Sequence, residues 1–239
     1  MHPTYKFPKL YYQLQALDAV LQKDGYSLDD HFGLRLREDS SHYHVTPLDL
    51  VPFGDIGVDG IRYGFLTDFR RVQDLEEAFI VLISPMDFGN PHKIVAKNFG
   101  EFLNLAWTVK GAMDLANVHY KRTEEDYTSL LKYFEESQDE LDNDHKNKQA
   151  YVLQRIEDEF GVQPVEDIYD YIENEVKAAR EQHIVLSTLD GLGVVGENPK
   201  DSPYMKFEVT ENEPADLEQL NAFLLESSKE SKLALIRDI

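Results

Sequence analysis

Residues 97–119 form the clearest amphipathic run of the chain. Apolar side chains recur there at helical spacing, at Phe99, Phe102, Leu103, Ala106, Met113 and Ala116. Such a stripe predicts a helix that buries one face. Two preceding runs, 61–68 and 78–87, are rich in β-branched and aromatic residues and end in turn residues, which predicts strands. The predicted helix is the best-defined element of the chain, and it also carries the single tryptophan, Trp107.

The remaining segments complete an α+β pattern. Residues 8–23 place four leucines on one face of a predicted helix that ends at Gly25. Residues 42–53 alternate as a strand that Pro47 interrupts. Beyond residue 120 the patterns predict three helices, two strands and a last helix: 123–136, 148–160, 165–181, 183–190, 204–210 and 216–228. The fold class predicted is α+β, with a strand-rich first half and a helix-rich second half.

A polar, highly charged run at 137–148 suggests a linker inside the second half. We place a first domain at 1–120 and a helix-rich acidic extension or second subdomain with a short hairpin at 121–239. One continuous domain is the alternative.

The net charge of −21 restricts the kind of partner. Of 45 acidic and 24 basic residues, 1–120 hold 16 and 11, whereas 121–239 hold 29 and 13. Such a field repels nucleic acid and anionic membranes and attracts basic proteins. We therefore expect a basic protein partner, with no nucleic acid and no membrane, and solubility is the alternative reason for the charge. The oligomeric state is not predicted.

The absence of cysteine excludes disulfides, thiolate catalysis and zinc–thiolate sites. The N-terminus has no uninterrupted apolar segment typical of a signal peptide, and no apolar run approaches the roughly 18 residues that span a bilayer. We therefore expect a cytoplasmic protein.

Three stretches resemble known binding motifs, but the residues around them argue against a binding site. GLGVVG at 191–196 matches a dinucleotide fingerprint, but the prolines that follow exclude the required helix, so a short strand or a turn is favoured. DNDHKNK at 142–148 lacks the decisive residues of a calcium loop. His42 and His44 lie two apart on a predicted strand, with His31 and Asp49 nearby, yet no third metal ligand has a diagnostic spacing. We expect no catalytic residue, no cofactor and no metal.

The stretch 52–68 combines a glycine-rich turn with an aromatic strand. Its three glycines and two aspartates, GDIGVDG at 54–60, could suggest a phosphate cradle. Such cradles carry a basic residue and lead into a helix N-terminus, whereas this turn is acidic and leads into a strand. A structural turn is the favoured interpretation.

The order of these pieces resembles the SUKH superfamily, whose fold is shared by yeast regulators of glucan synthesis and by many bacterial toxin-immunity proteins. The resemblance covers about residues 8–120. It consists of the PFG turn at 52–54, the aspartate–glycine pair at 59–60, the strands 61–68 and 79–84, the polar turn 87–93 and the segment IVAKNFGEFLNLAW from residue 94. Asn98 replaces the serine usual in the family, and the acidic second half has no counterpart there.

The resemblance implies a twisted, mainly antiparallel sheet packed by helices and a protein that binds proteins. Immunity members dock on toxins, often nucleases, whose basic grooves an acidic protein can fill. The predicted function is therefore a non-enzymatic immunity protein against a basic toxin. A regulatory or scaffold protein of cell-envelope or stress physiology is the first alternative. A small-molecule binder or enzyme that uses a cleft beside 52–68 is the second.

Two sets of residues are candidates for protein binding, on the premise that they are exposed. The first lies along the turn and its strand: Asp55, Asp59, Arg62, Tyr63 and Asp68. The second lies in the charged run: Asp139, Glu140, Asp142 and Asp144. A strand with one core-facing side would bury part of the first set, and a solvated linker would explain the second.

Overall fold

The computed structural model describes residues 5–38, 43–140, 142–197, 204–209 and 216–239, except for the side chains of 138–140. It has the predicted α+β class, with helices and an antiparallel sheet. The chain divides into two compact units, Met1–Lys177 and Ala178–Ile239. The division lies after Lys177 and not after residue 120, because the helices at 124–160 contribute to the core of the first unit.

The sheet of the first unit is an antiparallel meander in the order β1-β2-β3-β4-β5. Its strands are Arg35–Leu36, Leu50–Asp55, Arg62–Leu66, Ile80–Ile83 and His92–Ala96. The predicted strands at 61–68 and 78–87 are thus confirmed as β3 and β4. The strand β5 was not predicted, because a polar turn was assigned up to Lys93.

The strand predicted at 42–53 begins only at Leu50. Residues 43–49 are turns, in which Thr46 N donates to Tyr43 O and Leu50 N donates to Pro47 O. Within β2, Pro52 has no N–H group for the ladder, and a β-bulge lies between Pro52 and Gly54. Residue 42 lies outside the described part of the chain.

Six helices of the first unit are α-helices among the residues that the structure describes. They are α1 (Lys9–Leu21), α2 (Leu28–Phe32), α3 (Phe99–Thr108), α4 (Ala112–Ala116) and α5 (Glu124–Glu140), followed by α6 (Asn143–Phe160) after residue 141, which is not described. Three 3-10 helices, Gln22–Asp24, Leu75–Glu77 and Asn117–Tyr120, and a π-helix at Asp170–Val176 complete the described part of the unit.

The helix predicted at 97–119 begins as predicted but is divided into two α-helices, α3 and α4. Asn98 caps α3, since its Oδ1 accepts a hydrogen bond from Glu101 N (2.9 Å) and its amide donates to Glu101 Oε1 (3.3 Å). Asparagine thus serves the capping role that a serine could fill at this position. The helix ends because Lys110 adopts a positive φ of 67°, and α4 begins after Gly111.

The predicted linker at 137–148 is mostly helical. Helix α5 continues to Glu140, and Asp142 caps α6 by accepting a hydrogen bond from His145 N (2.8 Å). The predicted cap of α5 is confirmed, since Thr123 Oγ1 accepts a hydrogen bond from Asp126 N (3.2 Å). Charge alone therefore did not identify a loop, because an aspartate at a cap and acids in a first turn favour helix.

The core of the first unit lies between one face of the sheet and the helices. Aromatic side chains dominate it, with Phe53 of β2 packed against Tyr11, Tyr63, Phe65, Phe99 and Phe102. Tyr127 and Phe134 of α5 and Val152 and Ile156 of α6 belong to the same cluster. A sheet face packed by helices from both halves of the sequence explains the position of the unit boundary.

The other face of the sheet is also covered. Arg62 lies over the ring of Tyr43 at 4.2 Å, and Thr67 donates from N and Oγ1 to Asp49 O. The contact with Arg62 places Tyr43 against that face, whereas the hydrogen bonds of Thr67 extend the pairing of β2 and β3 in the plane of the sheet. All five residues of β3 are consequently buried, including those that point away from the helices.

The second unit contains α7 (Lys177–Glu181, which starts at the last residue of the first unit), β6 (Ile184–Leu186), β7 (Val194–Val195), α8 (Leu217–Glu226) and α9 (Lys229–Asp238). The strand predicted at 183–190 is confirmed as β6, and GLGVVG forms the predicted turn and short strand, β7. The prediction of a strand at 204–210 is wrong for the described residues 204–209, which form no strand, and β6 pairs with β7 instead. Helix α9 was not predicted and packs against both strands.

Candidate functional site

The two aspartates of the turn at 52–68 shape the turn itself. Asp55 Oδ1 accepts a hydrogen bond from Gly57 N (2.9 Å), and its Oδ2 lies 3.4 Å from Arg37 Nε. Asp59 is exposed and adopts a positive φ of 51°. Both glycine and aspartate tolerate such conformations in turns, in agreement with the structural interpretation of this stretch.

The expectation that Arg62, Tyr63 and Asp68 are exposed is wrong. Their exposed fractions are 5%, 0% and 5%. Arg62 and Tyr63 are buried because they lie on β3, the central strand of the sheet. Tyr63 donates its hydroxyl to Ala112 O (2.8 Å), which fixes β3 to α4. Asp55 and Arg62 are cross-strand partners, whereas Asp68 lies beyond the far end of β3. The set is therefore not one surface.

The second predicted set lies on helices. Asp139 and Glu140 belong to α5, but their side chains are outside the described part of the structure. Asp142 and Asp144 are exposed at the start of α6, where Asp144 pairs with Lys148 at 2.6 Å. These two acids belong to a larger acidic surface.

The exposed faces of α5 and α6 are strongly acidic. Residues 124–175 contain 17 acidic and 4 basic residues. The exposed acids on the two helices, which we call the acidic face, are Glu124, Glu125, Glu135, Glu136, Asp142, Asp144, Glu157, Asp158 and Glu159. Lys132 is the one base of similar exposure among the described side chains of these helices. The opposite sides of the two helices bury apolar residues, and the acids consequently lie on the sides that face solvent.

A loop at 84–91, between β4 and β5, presents two apolar side chains to solvent. Met86 is 62% exposed and Phe88 87% exposed. The loop is held by Asp87, whose Oδ2 lies 3.0 Å from His119 Nε2, and by Ser84, whose Oγ lies 3.1 Å from the Tyr120 hydroxyl. Burial lowers the pKa of His119, and the hydrogen bond and the charge of Asp87 oppose this shift. A braced loop with exposed apolar residues is suited to anchor a protein contact.

A pocket of about 340 Å³ lies beside this loop, between the 3-10 helix Asn117–Tyr120 and α5. It is lined by Asn117, Tyr120, Lys121, Ser129, Leu130 and Tyr133. Two of these residues, Tyr120 and Tyr133, are more than half exposed. None of the lining residues belongs to the stretch 52–68, so the pocket is distinct from the cleft that was expected there.

A partly buried ion pair lies close to this part of the unit, with the side chains of Lys93 and Glu173 10% and 22% exposed. Lys93 Nζ on β5 lies 2.5 Å from Glu173 Oε1 of the π-helix. The Tyr127 hydroxyl (2.9 Å) and the carbonyl oxygens of Val118 and Lys121 (3.0 Å each) also lie within hydrogen-bond distance of Nζ, so its three N–H groups are shared among four oxygen atoms. Burial lowers the pKa of Lys93, and the hydrogen bond that Lys93 donates to Glu173 opposes this shift. The pair joins the edge strand, the 3-10 helix and α5.

The sequence patterns did not predict the Lys93–Glu173 ion pair or the exposure of Met86 and Phe88. No local spacing joins Lys93 to a residue 80 positions away. A signal for the loop did exist, since two apolar residues alternate with turn-forming residues in the sequence PMDFG. Apolar side chains inside a polar turn have no core to enter, and this predicts their exposure.

Asp114 is a half-buried carboxyl in the first turn of α4. Burial raises its pKa to about 6, although Lys110 opposes the shift. The folded state therefore binds a proton more tightly than the unfolded state between pH 4 and pH 6. The carboxyl favours folding below its unfolded pKa, and that contribution is lost as the pH rises through 6.

We expect Asp114→Asn to raise the free energy of unfolding at pH 7 by about 2 kcal/mol and to flatten its pH dependence between pH 4 and 6. Urea titrations followed by the fluorescence of Trp107, the single tryptophan, would measure this at each pH. Asp24→Asn, at an exposed carboxyl, is the matched control. An unchanged pH slope in Asp114→Asn would contradict the assignment.

Among the described side chains, no group of three or more histidine, cysteine or carboxylate residues is placed to hold a metal ion. His42 lies outside the described residues, and His31 Nδ1 bonds to Ser27. None of the described helices combines the length and the apolar character needed to cross a bilayer. No family model matches the chain, and a comparison with curated proteins finds no match.

Proposed function

We propose that the chain binds a basic protein, most concretely as a SUKH-like immunity protein that neutralises a basic toxin. The single observation that carries this proposal is the acidic face of α5 and α6, where nine exposed carboxylates accompany one base of similar exposure among the described side chains. The net charge of −21 adds a long-range attraction for a basic partner. The resemblance of residues 8–120 to SUKH proteins supports the immunity role.

Two kinds of contact have separate roles in this binding. Carboxylates of the acidic face complement a basic groove and accelerate encounter, because opposite charges steer two proteins toward each other. Met86 and Phe88 supply apolar area that is removed from water on contact, and such residues carry much of the affinity of many interfaces. Binding should consequently weaken steeply with salt but retain a salt-independent part.

Charge reversal tests the proposal. The wild-type chain is used at low and high salt to retain proteins from the native lysate, and a retained basic protein is identified, purified and titrated. The variant Glu135→Lys/Glu136→Lys/Glu157→Lys should bind it about 30-fold more weakly, with a smaller salt dependence. Glu135, Glu136 and Glu157 are exposed, so the fold should be unaffected.

The matched control is Asp24→Lys/Glu38→Lys/Glu77→Lys, which changes the net charge equally at exposed acids outside the acidic face. Its affinity should fall less than about threefold. Equal losses in both variants would show that only net charge matters. Retention of no basic protein by the wild-type chain would refute the proposal. A retained protein without toxic activity would favour the regulatory or scaffold function.

A further inference from the structure

Helix α8 of the second unit is an apolar helix without a buried residue. Its leucines 217, 224 and 225 are 72%, 42% and 84% exposed. Leu220 and Phe223 are half-buried, and the ring of Phe223 contacts that of Phe207 at 5.3 Å. The helix is nevertheless well formed at its start, because Asp216 Oδ1 accepts hydrogen bonds from Glu218 N (2.9 Å) and Gln219 N (3.3 Å).

The neighbouring helix α9 shows what a packed helix of this unit is like. Ala234 and Leu235 are buried, and α9 packs against β6 and β7. The core of the unit also includes Leu192 and Val194. Helix α8 adds no buried side chain to this core, although five of its ten residues are leucine or phenylalanine. A ten-residue helix gains little stability from its backbone alone, so its apolar side chains need a packing surface.

The charges around α8 indicate what that surface is. Asp216, Glu218 and Glu226 flank the leucines, and no lysine or arginine occurs between residues 216 and 228. A second copy of α8 would bring acidic flanks of the same sign together, which opposes self-association. An apolar groove with a basic rim matches both the leucines and the acids.

We propose that α8 docks its leucines into an apolar groove with a basic rim on the partner protein. Leu217, Leu220 and Leu224 follow the i, i+3, i+7 spacing of helices that bind in grooves. The inference rests on the proposed function, because the partner is the same basic protein. Contact with such a groove removes the leucines from water, and this contribution to affinity does not depend on salt.

The test uses the full chain and the purified basic protein that the wild-type chain retains at low salt. The variant Leu217→Ala/Leu224→Ala/Leu225→Ala should bind about 30-fold more weakly, and the salt dependence should be unchanged. Alanine favours helix, so circular dichroism and thermal melting should match the wild type. Leu48→Ala/Leu189→Ala is the control, since these exposed leucines lie outside α8 (83% and 70% exposed) and should not affect affinity.

A second variant changes the acids of α8 that would face the basic rim of the partner's groove and leaves the leucines in place. Glu218→Lys/Glu226→Lys should weaken binding about tenfold and reduce the salt dependence. Sedimentation of the free wild-type chain should show a monomer. A dimer that the leucine variant dissociates would overturn the inference, because the occupant of the α8 surface would then be a second copy of this chain.

The outcomes separate the inference from the proposed function. If the acidic-face variant loses affinity while both α8 variants bind as the wild type does, the inference is overturned and the proposed function stands. If α8 variants lose affinity and the acidic-face variant does not, α8 is the docking element and the acidic face is not. If the wild-type chain retains no basic protein, both are overturned.

Discussion

Replacement of Phe53 by alanine is expected to lower the free energy of unfolding of the first unit by about 4 kcal/mol. Phe53 is fully buried, and its ring lies 4.7 Å from that of Phe65, 5.1 Å from Phe99 and 5.3 Å from Phe102. Alanine would remove these contacts and leave a cavity where β2, β3 and α3 meet. Neighbouring aromatic rings are too rigid to fill such a cavity, so most of the cost should remain.

Urea denaturation followed by Trp107 fluorescence measures the free energy of unfolding of the first unit. Trp107 belongs to that unit, since it lies in α3 and donates to Leu153 O of α6 (3.1 Å). Phe88→Ala is the matched control, because the same side chain is 87% exposed there. It should change stability by less than about 0.5 kcal/mol. A loss below about 1 kcal/mol for Phe53→Ala would contradict the central position of this ring.

Removal of one partner of the Lys93–Glu173 pair is expected to destabilise the first unit by about 3 kcal/mol. Glu173→Leu leaves the Lys93 ammonium buried without its counter-charge and the Tyr127 hydroxyl without its acceptor. Lys93→Met leaves the Val118 carbonyl without the donor that it has in the wild type. Both single variants therefore lose stability through groups that remain behind.

The double variant Lys93→Met/Glu173→Leu should lose about 2 kcal/mol less than the sum of the two single losses, because it leaves no buried charge. Urea titrations of the four proteins form the cycle that measures this coupling. The Lys132–Glu136 pair on α5 is the control, since both side chains are largely exposed (74% and 68%) and its coupling should be below about 0.5 kcal/mol. Strict additivity at Lys93 and Glu173 would exclude an interaction between them.

Local patterns in the sequence were sufficient for the α+β class, for β3 and β4 and for the first helix. They also identified GLGVVG as a turn with a short strand. In each case the evidence is a property of neighbouring residues, such as β-branched content, apolar spacing or prolines that exclude a helix. They failed at 137–148, where charge indicated a linker but an N-cap at Asp142 starts a helix.

The candidate site was predicted less well than the fold. Composition indicated an acidic protein, and the structure places nine of the exposed acids on α5, α6 and the cap of α6. The turn residues Arg62, Tyr63 and Asp68 were expected on the surface and are buried. Alternation of apolar and polar residues along a strand predicts that one face of the strand is buried. It does not predict that a distant residue such as Tyr43 covers the other face.

The sequence by itself determined the kinds of element, the acidic character and the turn chemistry, because these depend on residues close together in the chain. The tertiary structure alone decided that β3 is central, that Lys93 meets Glu173, and that α8 leaves its leucines exposed. Each of these depends on which surfaces meet after folding. Burial and pairing are properties of contacts between distant residues, and local periodicity carries no information about the partner.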